Sequence, residues 1–140
     1  MLEQNKTLTR RFYDEVFGRK NLNVVDELCA AGMIDHNPMP GQAAGTQGIK
    51  DTIAGFLKAF PDMSVTVHDI IAERDLVAVR LTMQGTHTGS LMGETPTGKK
   101  VSFRGLDMVR IKDGKAIEVW HEGDDAVVLM QLGVQMPAST

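Results

Sequence analysis

The sequence has few of the residues that are typical of disulfide-linked proteins, metal-binding proteins or membrane proteins. Cys29 is the only cysteine among 140 residues, so neither an intrachain disulfide nor a cysteine-based metal cluster can form. No run of Lys or Arg accompanies the net charge of −3, and we expect no binding to nucleic acid or to an anionic membrane. No apolar stretch approaches the roughly 18 residues of a spanning helix, and the first six residues lack a signal peptide's apolar core. These absences predict a cytoplasmic protein.

Sequence patterns for cofactors are also missing. The four histidines are far apart, and none belongs to an H-x-x-H or H-E-x-x-H arrangement, so we expect no metal site. Neither a G-x-G-x-x-G nor a Walker pattern is present, which leaves a nucleotide cofactor without a visible anchor. What the chain does have is 42% hydrophobic residues. That is enough for one compact domain over residues 1–140.

The first half of the chain has the periodicity of helices. Apolar residues recur four apart over residues 4–17, and Gly18 ends this first helix. A second helix is predicted over residues 22–31, and a third begins after Thr46, the expected N-cap, and closes at Pro61. Prolines exclude helix from the segment between them, which we predict to be a loop.

The second half alternates apolar and polar residues, as strands with one buried face do. A glycine-rich excursion separates two predicted hairpins, and a short helix follows the second. The predicted strands are residues 63–71, 77–83, 101–111 and 116–122, the excursion is residues 88–99, and the helix is residues 124–132.

Asp107 and His121 occupy positions on two of these strands where apolar residues are expected. A buried carboxylate beside an imidazole is a common way for a small fold to build a general base. The same two groups could instead simply satisfy each other's hydrogen bonds, as a buried polar pair must. We favour a functional pair because costly buried polar groups cluster at functional sites.

The turn between these strands decides whether the two side chains can meet. A two-residue turn at Asp113 and Gly114 would pair Lys112 with Lys115 and put Asp107 and His121 on opposite faces. A three-residue loop would pair Ile111 with Lys115 and bring them to one face. We prefer the three-residue loop because it separates charged from apolar side chains. It pairs Asp107 with Val119 and makes His121 a diagonal neighbour.

The other histidines have simpler interpretations. His87 lies between glycines at a strand end and is predicted to organise a turn through backbone hydrogen bonds, and His68 is predicted to lie on an outer face. His36 and Asn37 could cap the third helix or hold the loop, or Asn37 could line a pocket.

Three apolar side chains, those of Leu106, Met108 and Trp120, share the predicted outer sheet face with charged residues. Together they form a surface that is too apolar to be covered by water alone. We therefore expect a homodimer or homotetramer that forms through this face.

Several stretches of the chain carry a family pattern, namely FYDEVF (12–17), DHNP (35–38), GTHTG (85–89), MGETPTGKK (92–100), RIKDGK (110–115) and LMQLG (129–133). Together they resemble the SnoaL-like polyketide cyclases, within the nuclear-transport-factor-2-like superfamily. The resemblance covers nearly the whole chain. It implies an α+β fold in which N-terminal helices pack on the concave face of a curved antiparallel sheet and enclose a cone-shaped apolar pocket.

The resemblance also implies a chemistry. The characterised cyclases close a ring by an intramolecular aldol reaction, with an aspartate as the base and no cofactor. Alignment through the Asp113-Gly114 turn puts that aspartate's position at His121 and a histidine of those enzymes at Asp107, so the pair is present but exchanged. Asn37 falls on a pocket asparagine of the family. Superfamily members of the scytalone dehydratase and dehydrochlorinase types are similar in using a histidine base supported by an aspartate.

The function predicted from the residues and this resemblance is cofactor-independent proton abstraction from a carbon next to a carbonyl. His121 is the expected base and Asp107 its support, while Asn37 and His36 would donate hydrogen bonds to the enolate oxygen. The expected substrate is a small hydrophobic or polyketide-like molecule. The pocket wall is predicted to contain Phe12, Phe17, Phe56, Phe60, Met83, Phe103 and Val119. Two alternatives stay open, namely a lyase, isomerase or hydrolase acting on another small apolar compound, and a binding protein without chemistry.

Overall fold

The computed structural model describes residues 1–91 and 93–133 of the chain. Helices occupy most of the first half and strands most of the second, as the two periodicities predicted. The elements are α1 (Leu2–Phe12), a π-helical turn (Tyr13–Gly18), α2 (Asn23–Leu28), β1 (Cys29–Asp35), α3 (Gly45–Ala59), β2 (Ser64–Glu73), β3 (Leu76–Thr86), β4 (Lys100–Lys112), β5 (Lys115–Gly123) and α4 (Asp125–Gln131).

The five strands form one curved sheet in the order β1-β5-β4-β3-β2. Strands β2 to β5 are connected as consecutive antiparallel neighbours, whereas β1 lies parallel to β5 at the edge. The N-terminal helices pack against the sheet, and the buried apolar side chains lie between the two layers. The α+β fold expected from the resemblance is confirmed. Among the described residues, no helix is long and apolar enough to cross a membrane.

The predicted second helix was too long, because α2 ends at Leu28 and the chain continues as β1. The prediction followed apolar residues that repeat at helical spacing, which are Leu22, Val25, Leu28 and Cys29. In the structure Cys29 is instead the first residue of β1, and Cys29 and Met33 both face the core because residues four apart lie on the same face of a strand. Thr46 is likewise not the N-cap of α3; Ala44 is, and the Thr46 hydroxyl donates to the carbonyl of Ala30.

The first helix changes its winding after Phe12. The amide of Arg19 donates to the carbonyl of Asp14, five residues earlier, at 3.1 Å. A π-helical turn has more residues per turn than an α-helix, and it changes which side chains face inward. Tyr13 and Phe17 are buried here.

The hairpin between β4 and β5 places Asp107 and His121 on one face, as predicted, but not through the predicted loop. Asp113 and Gly114 have φ values of +51° and +75°, as a two-residue turn requires, and Lys112 pairs with Lys115. The predicted three-residue loop is therefore wrong. One strand position later the register shifts, because Ile111 pairs with Ala116 and Arg110 with Glu118.

This shift is a β-bulge, in which β5 contains one residue, Ile117, more than the facing strand. The extra residue reverses the facing of everything after it. Asp107 and His121 therefore end on the same face, and they pair directly rather than as diagonal neighbours.

Candidate active site

A cavity of about 360 Å³ lies between the helices and the concave face of the sheet. It is near the lower end of the range for ligand pockets, roughly 300–1,000 Å³. None of the described residues that line it is a lysine or an arginine. All seven residues predicted to form its wall do line it. They are Phe12, Phe17, Phe56, Phe60, Met83, Phe103 and Val119.

Asp107 and His121 meet at the wall of this cavity, and both line it. Nδ1 of His121 lies 2.5 Å from Oδ1 of Asp107. An ionised carboxylate only accepts hydrogen bonds, so Nδ1 carries the proton and Nε2 of the neutral ring carries the lone pair. The side chains are 33% and 14% exposed, respectively, so the carboxylate is the more buried partner. This is the arrangement in which a carboxylate orients an imidazole base.

Two glycines, Gly105 and Gly123, leave the space that the imidazole occupies. They face each other across β4 and β5. A Cβ atom on Gly105 would lie 3.1 Å from Cε1 of His121, and one on Gly123 would lie 3.0 Å from its Nε2 and 2.8 Å from the carbonyl oxygen of Arg104. A side chain at either position would therefore press on the ring, and the sequence reasoning overlooked both glycines.

Tyr13 is a third member of the polar group, and the sequence reasoning overlooked it as a site residue. Its hydroxyl donates to Oδ2 of Asp107, whereas Nδ1 of His121 lies against Oδ1. Burial, and secondarily the negative charge of Asp107, raise the pKa of Tyr13 well above its usual value. The phenol therefore stays protonated and acts as a donor. A signal was available, because the chain's single tyrosine lies on an amphipathic helix and a buried tyrosine needs a hydrogen-bond partner.

Asn37 lines the cavity next to His121. Its Oδ1 accepts a hydrogen bond of 2.7 Å from the backbone amide of His121. This contact orients the Asn37 side chain so that its amide group is the remaining donor. Asn37 therefore has the pocket position that was one of its interpretations, and its backbone also takes part in holding the loop.

The loop that follows β1 is held by side-chain hydrogen bonds. Asp35 accepts from the backbone N–H of Asn37 and from Nε2 of Gln42, each at 2.9 Å, and Oε1 of Gln42 accepts from the Thr52 hydroxyl at 2.8 Å. All four residues line the cavity. The loop thus forms a polar rim, of which sequence reasoning found only Asn37.

His36 does not line the cavity, contrary to prediction. In extended backbone successive side chains point to opposite faces, so with Asp35 and Asn37 facing inward His36 faces outward. Its ring stacks on Trp120 with centroids 4.6 Å apart, and its Nε2 lies 2.7 Å from Oε2 of Glu118. His36 therefore cannot donate to a substrate in the cavity.

Cys29 also lines the cavity. Burial, reinforced by the charge of Asp26, raises the pKa of its thiol to about 11. The reactive form of a cysteine is the thiolate, so at neutral pH Cys29 is an apolar wall residue and not a nucleophile.

The two remaining histidines lie outside the cavity. His87 is buried, exchanges backbone hydrogen bonds with Lys99 and Gly98, and accepts at Nδ1 from the amide of Thr97. It organises the connection before β4, as predicted. His68 is exposed and contacts Thr82, in agreement with an outer position. Within the described part of the chain, no group of three or more His, Cys, Asp or Glu side chains could hold a metal ion.

The family described as SnoaL-like polyketide cyclase matches residues 7–132 of the chain. This match covers both the cavity wall and the polar group at its edge. A search of curated proteins finds no match.

Solved structures resemble the chain over nearly its whole length. AclR from Streptomyces galilaeus, described as a candidate hydroxylase, is 28% identical with a TM-score of 0.84, over 99% of this chain and 91% of its own. IdmH from Streptomyces antibioticus, described as a candidate polyketide cyclase, is 33% identical with a TM-score of 0.80, over 94% and 99%. A SnoaL-like protein from Jannaschia is 24% identical with a TM-score of 0.85, over 97% and 96%, and supports the fold alone.

Proposed function

The chain belongs to the SnoaL-like polyketide cyclase family, and from this premise we propose that it is an enzyme that removes a proton from a carbon next to a carbonyl. His121 is the base. The observation that carries the proposal is the 2.5 Å hydrogen bond between His121 and Asp107 at the wall of an apolar cavity. This bond leaves Nε2 as the basic nitrogen and provides a negative charge beside the imidazolium that forms.

The proposed reaction begins when Nε2 of His121 takes the proton from the activated carbon. The electron pair of the broken C–H bond moves onto the carbonyl oxygen and gives an enolate. The side-chain amide of Asn37 donates a hydrogen bond to that oxygen and stabilises its developing charge. Asp107 stays ionised throughout and stabilises protonated His121.

Ring closure completes the proposed cyclisation. The enolate carbon attacks a second carbonyl carbon of the same molecule and forms the new C–C bond. The resulting alkoxide takes the proton back from His121, so the reaction is an isomerisation with no net gain or loss of atoms. The side chains named supply every proton movement.

The chemistry of the cavity wall supports one class of substrate. No described lining residue is cationic, so a carboxylate or phosphate on the substrate would be desolvated without a partner. The substrate is therefore an uncharged, largely apolar carbonyl compound. Because the cavity is small, a smaller compound is a second candidate; its enolate would lose a leaving group or be reprotonated elsewhere, as in a lyase or isomerase.

Deuterium exchange tests the proton abstraction separately from ring closure or any other later step. The protein is incubated in D₂O with uncharged 1,3-dicarbonyl compounds, and incorporation at the acidic carbon is followed by NMR. We expect exchange above the buffer rate with the wild type and the outer-face control His68→Ala, and none above it with His121→Ala. Equal exchange by His121→Ala would show that His121 is not the base, and tight binding without exchange would favour a binding protein.

A further inference from the structure

We infer that Tyr13 is a positioning residue that acts through Asp107 and limits how strongly that carboxylate stabilises protonated His121. The inference rests on the proposed function only in taking His121 as the base. It concerns the equilibrium between the neutral and the protonated imidazole, which can be measured without any substrate.

The three side chains form one hydrogen-bonded series. The Tyr13 hydroxyl donates to Oδ2 of Asp107, and Nδ1 of His121 lies against Oδ1. Both carboxylate oxygens are therefore bonded by protein groups. Because the Asp107 side chain is only 14% exposed, solvent screens these contacts weakly, and each bond changes the strength of the other.

The direction of the effect is set by the roles of the two donors. A hydrogen bond donated to a carboxylate stabilises its negative charge and lowers its affinity for a further proton. Tyr13 thereby weakens the attraction of Asp107 for the proton on His121. Without that donor, the carboxylate stabilises the imidazolium more, and His121 holds its proton to a higher pH.

This effect matters because a base must be unprotonated to act. An ordinary histidine has a pKa of about 6.5, and a buried carboxylate partner alone raises it. A larger share of His121 would then be protonated, and inactive as a base, near neutral pH. Tyr13 keeps the neutral form populated while Asp107 still orients the ring.

Tyr13 makes this contact from the start of the π-helical turn. Its ring packs against those of Phe12 and Phe17 at centroid distances of 5.4 and 6.2 Å. The ring is thus held by an edge contact and a stacked contact, and the hydroxyl reaches β4 from the opposite layer of the fold. Replacement of the hydroxyl alone leaves this packing in place.

Other titratable groups around the cavity do not replace Tyr13 in this role. Cys29 on β1 stays a neutral thiol, and both oxygens of Asp35, at the end of β1, accept hydrogen bonds from the rim. On β4 and β5 the nearby charged residues Arg104 and Glu122 belong to the alternate, exposed face.

Proton NMR titration of the histidine rings tests the inference. The His121 resonance is assigned by its loss in His121→Asn. In Tyr13→Phe we expect the pKa of His121 to rise by about half a unit or more, and in Asp107→Asn to fall. Thr7→Val, which removes a hydroxyl donor from the exposed side of α1, is the matched control and should leave the pKa of His121 unchanged. The exposed His68 is the internal reference.

The single tyrosine allows a second measurement that does not depend on a mutant's folding. Growth with 3-fluorotyrosine modifies only position 13, and the more acidic phenol is a stronger donor. We expect the pKa of His121 to fall in this protein, opposite to Tyr13→Phe. No change in either protein, or a shift in the same direction in both, would overturn the inference.

The outcome is separable from that of the proposed function. If exchange activity is found, the acid limb of its pH profile should move upward in Tyr13→Phe by the same amount as the pKa, and activity should be recovered at higher pH. If no activity is found but the titrations shift as expected, the tuning by Tyr13 stands and the proposed reaction fails.

Discussion

Two imidazole–carboxylate pairs lie on opposite faces of the same sheet. His121 and Asp107 face the cavity at 2.5 Å, and His36 and Glu118 face outward at 2.7 Å. The inner carboxylate has a neutral phenol as its second partner, whereas Glu118 also accepts from the Arg110 guanidinium at 3.0 Å.

The surroundings of each pair decide what it can do. The His36 ring is covered by Trp120, and Arg110 lies 5.7 Å from that indole and also pairs with Asp75. The outer pair is therefore one part of a surface network that connects the end of β1 to the sheet. The inner pair meets an apolar cavity large enough for a small molecule. The two pairs have similar imidazole–carboxylate distances but different roles. Matched substitutions in the two pairs can distinguish these roles.

The largest difference is expected from neutralising the two carboxylates. Asp107→Asn removes the charge that stabilises imidazolium, and we expect proton exchange at the substrate carbon to slow by about 10²-fold or more. Glu118→Gln makes the same chemical change on the outer face and should leave the rate near that of the wild type. A similar loss in both variants would show that the comparison between the pairs does not hold.

A steric change next to His121 comes second. In Gly123→Ala the new methyl meets both the carbonyl oxygen of Arg104 and the imidazole, and we expect a loss of about 1–3 kcal/mol in the free energy of unfolding. Gly55→Ala is the matched control, because a Cβ there meets nothing within 4 Å and the residue lies in α3. It should be neutral or stabilising by up to about 1 kcal/mol. Chemical denaturation measures both, and equal stability of the two variants would contradict the packing argument.

The outer face also carries the predicted contact with a second copy of the chain, which remains a proposal. Leu106 and Met108 are 54% and 42% exposed, and Met108 on β4 pairs directly with Trp120 on β5. We expect Met108→Lys to shift the protein toward monomer in sedimentation experiments, while His121→Ala does not. A wild-type protein that is monomeric at all concentrations would rule the proposal out.

The smallest effect concerns the stability of the outer pair in acid. Hydrogen bonding from His36, with Arg110 adding to it, lowers the pKa of Glu118 below its ordinary value of 4.5. A carboxyl group whose pKa is lowered by folding stabilises the fold above the unfolded value and loses this contribution as pH falls through the folded one. Glu118→Gln should therefore flatten the loss of stability below about pH 4.5, as measured by denaturation at several pH values. An unchanged slope would mean that the pair adds nothing in solution.

Periodicity alone was sufficient for most of the elements and for the wall of the cavity. Phe12, Phe56 and Phe103 could be assigned to the pocket because their positions repeat at the spacing of a helix or a strand. That Asp107 and His121 share a face was also predicted, because two polar residues at apolar positions are rare, but their direct pairing was not, since the loop on which the register was based is wrong. The local pattern is sufficient for these predictions because it shows which face of its helix or strand each residue occupies.

Features that arise where an element departs from its regular geometry were not predictable from periodicity. The π-helical turn changes the winding of the first helix from Tyr13 onward, and the helical spacing of Val25, Leu28 and Cys29 runs past the end of α2 into β1. In both cases packing against another element decides the conformation, and the local sequence is compatible with the regular alternative. His36 was misplaced for a related reason, since the segment around it was treated as a loop without alternation.

The bulge in β5 has a consequence for how this protein can change. Insertions and deletions in most surface turns alter only the turn, but the presence of Ile117 sets which residues of β5 face the cavity up to the end of the strand. Loss of that one residue would exchange the two faces, bringing Trp120 to the inside and His121 to the outside. A single codon therefore separates a strand that contributes a base to the cavity from one that fills the cavity with an indole.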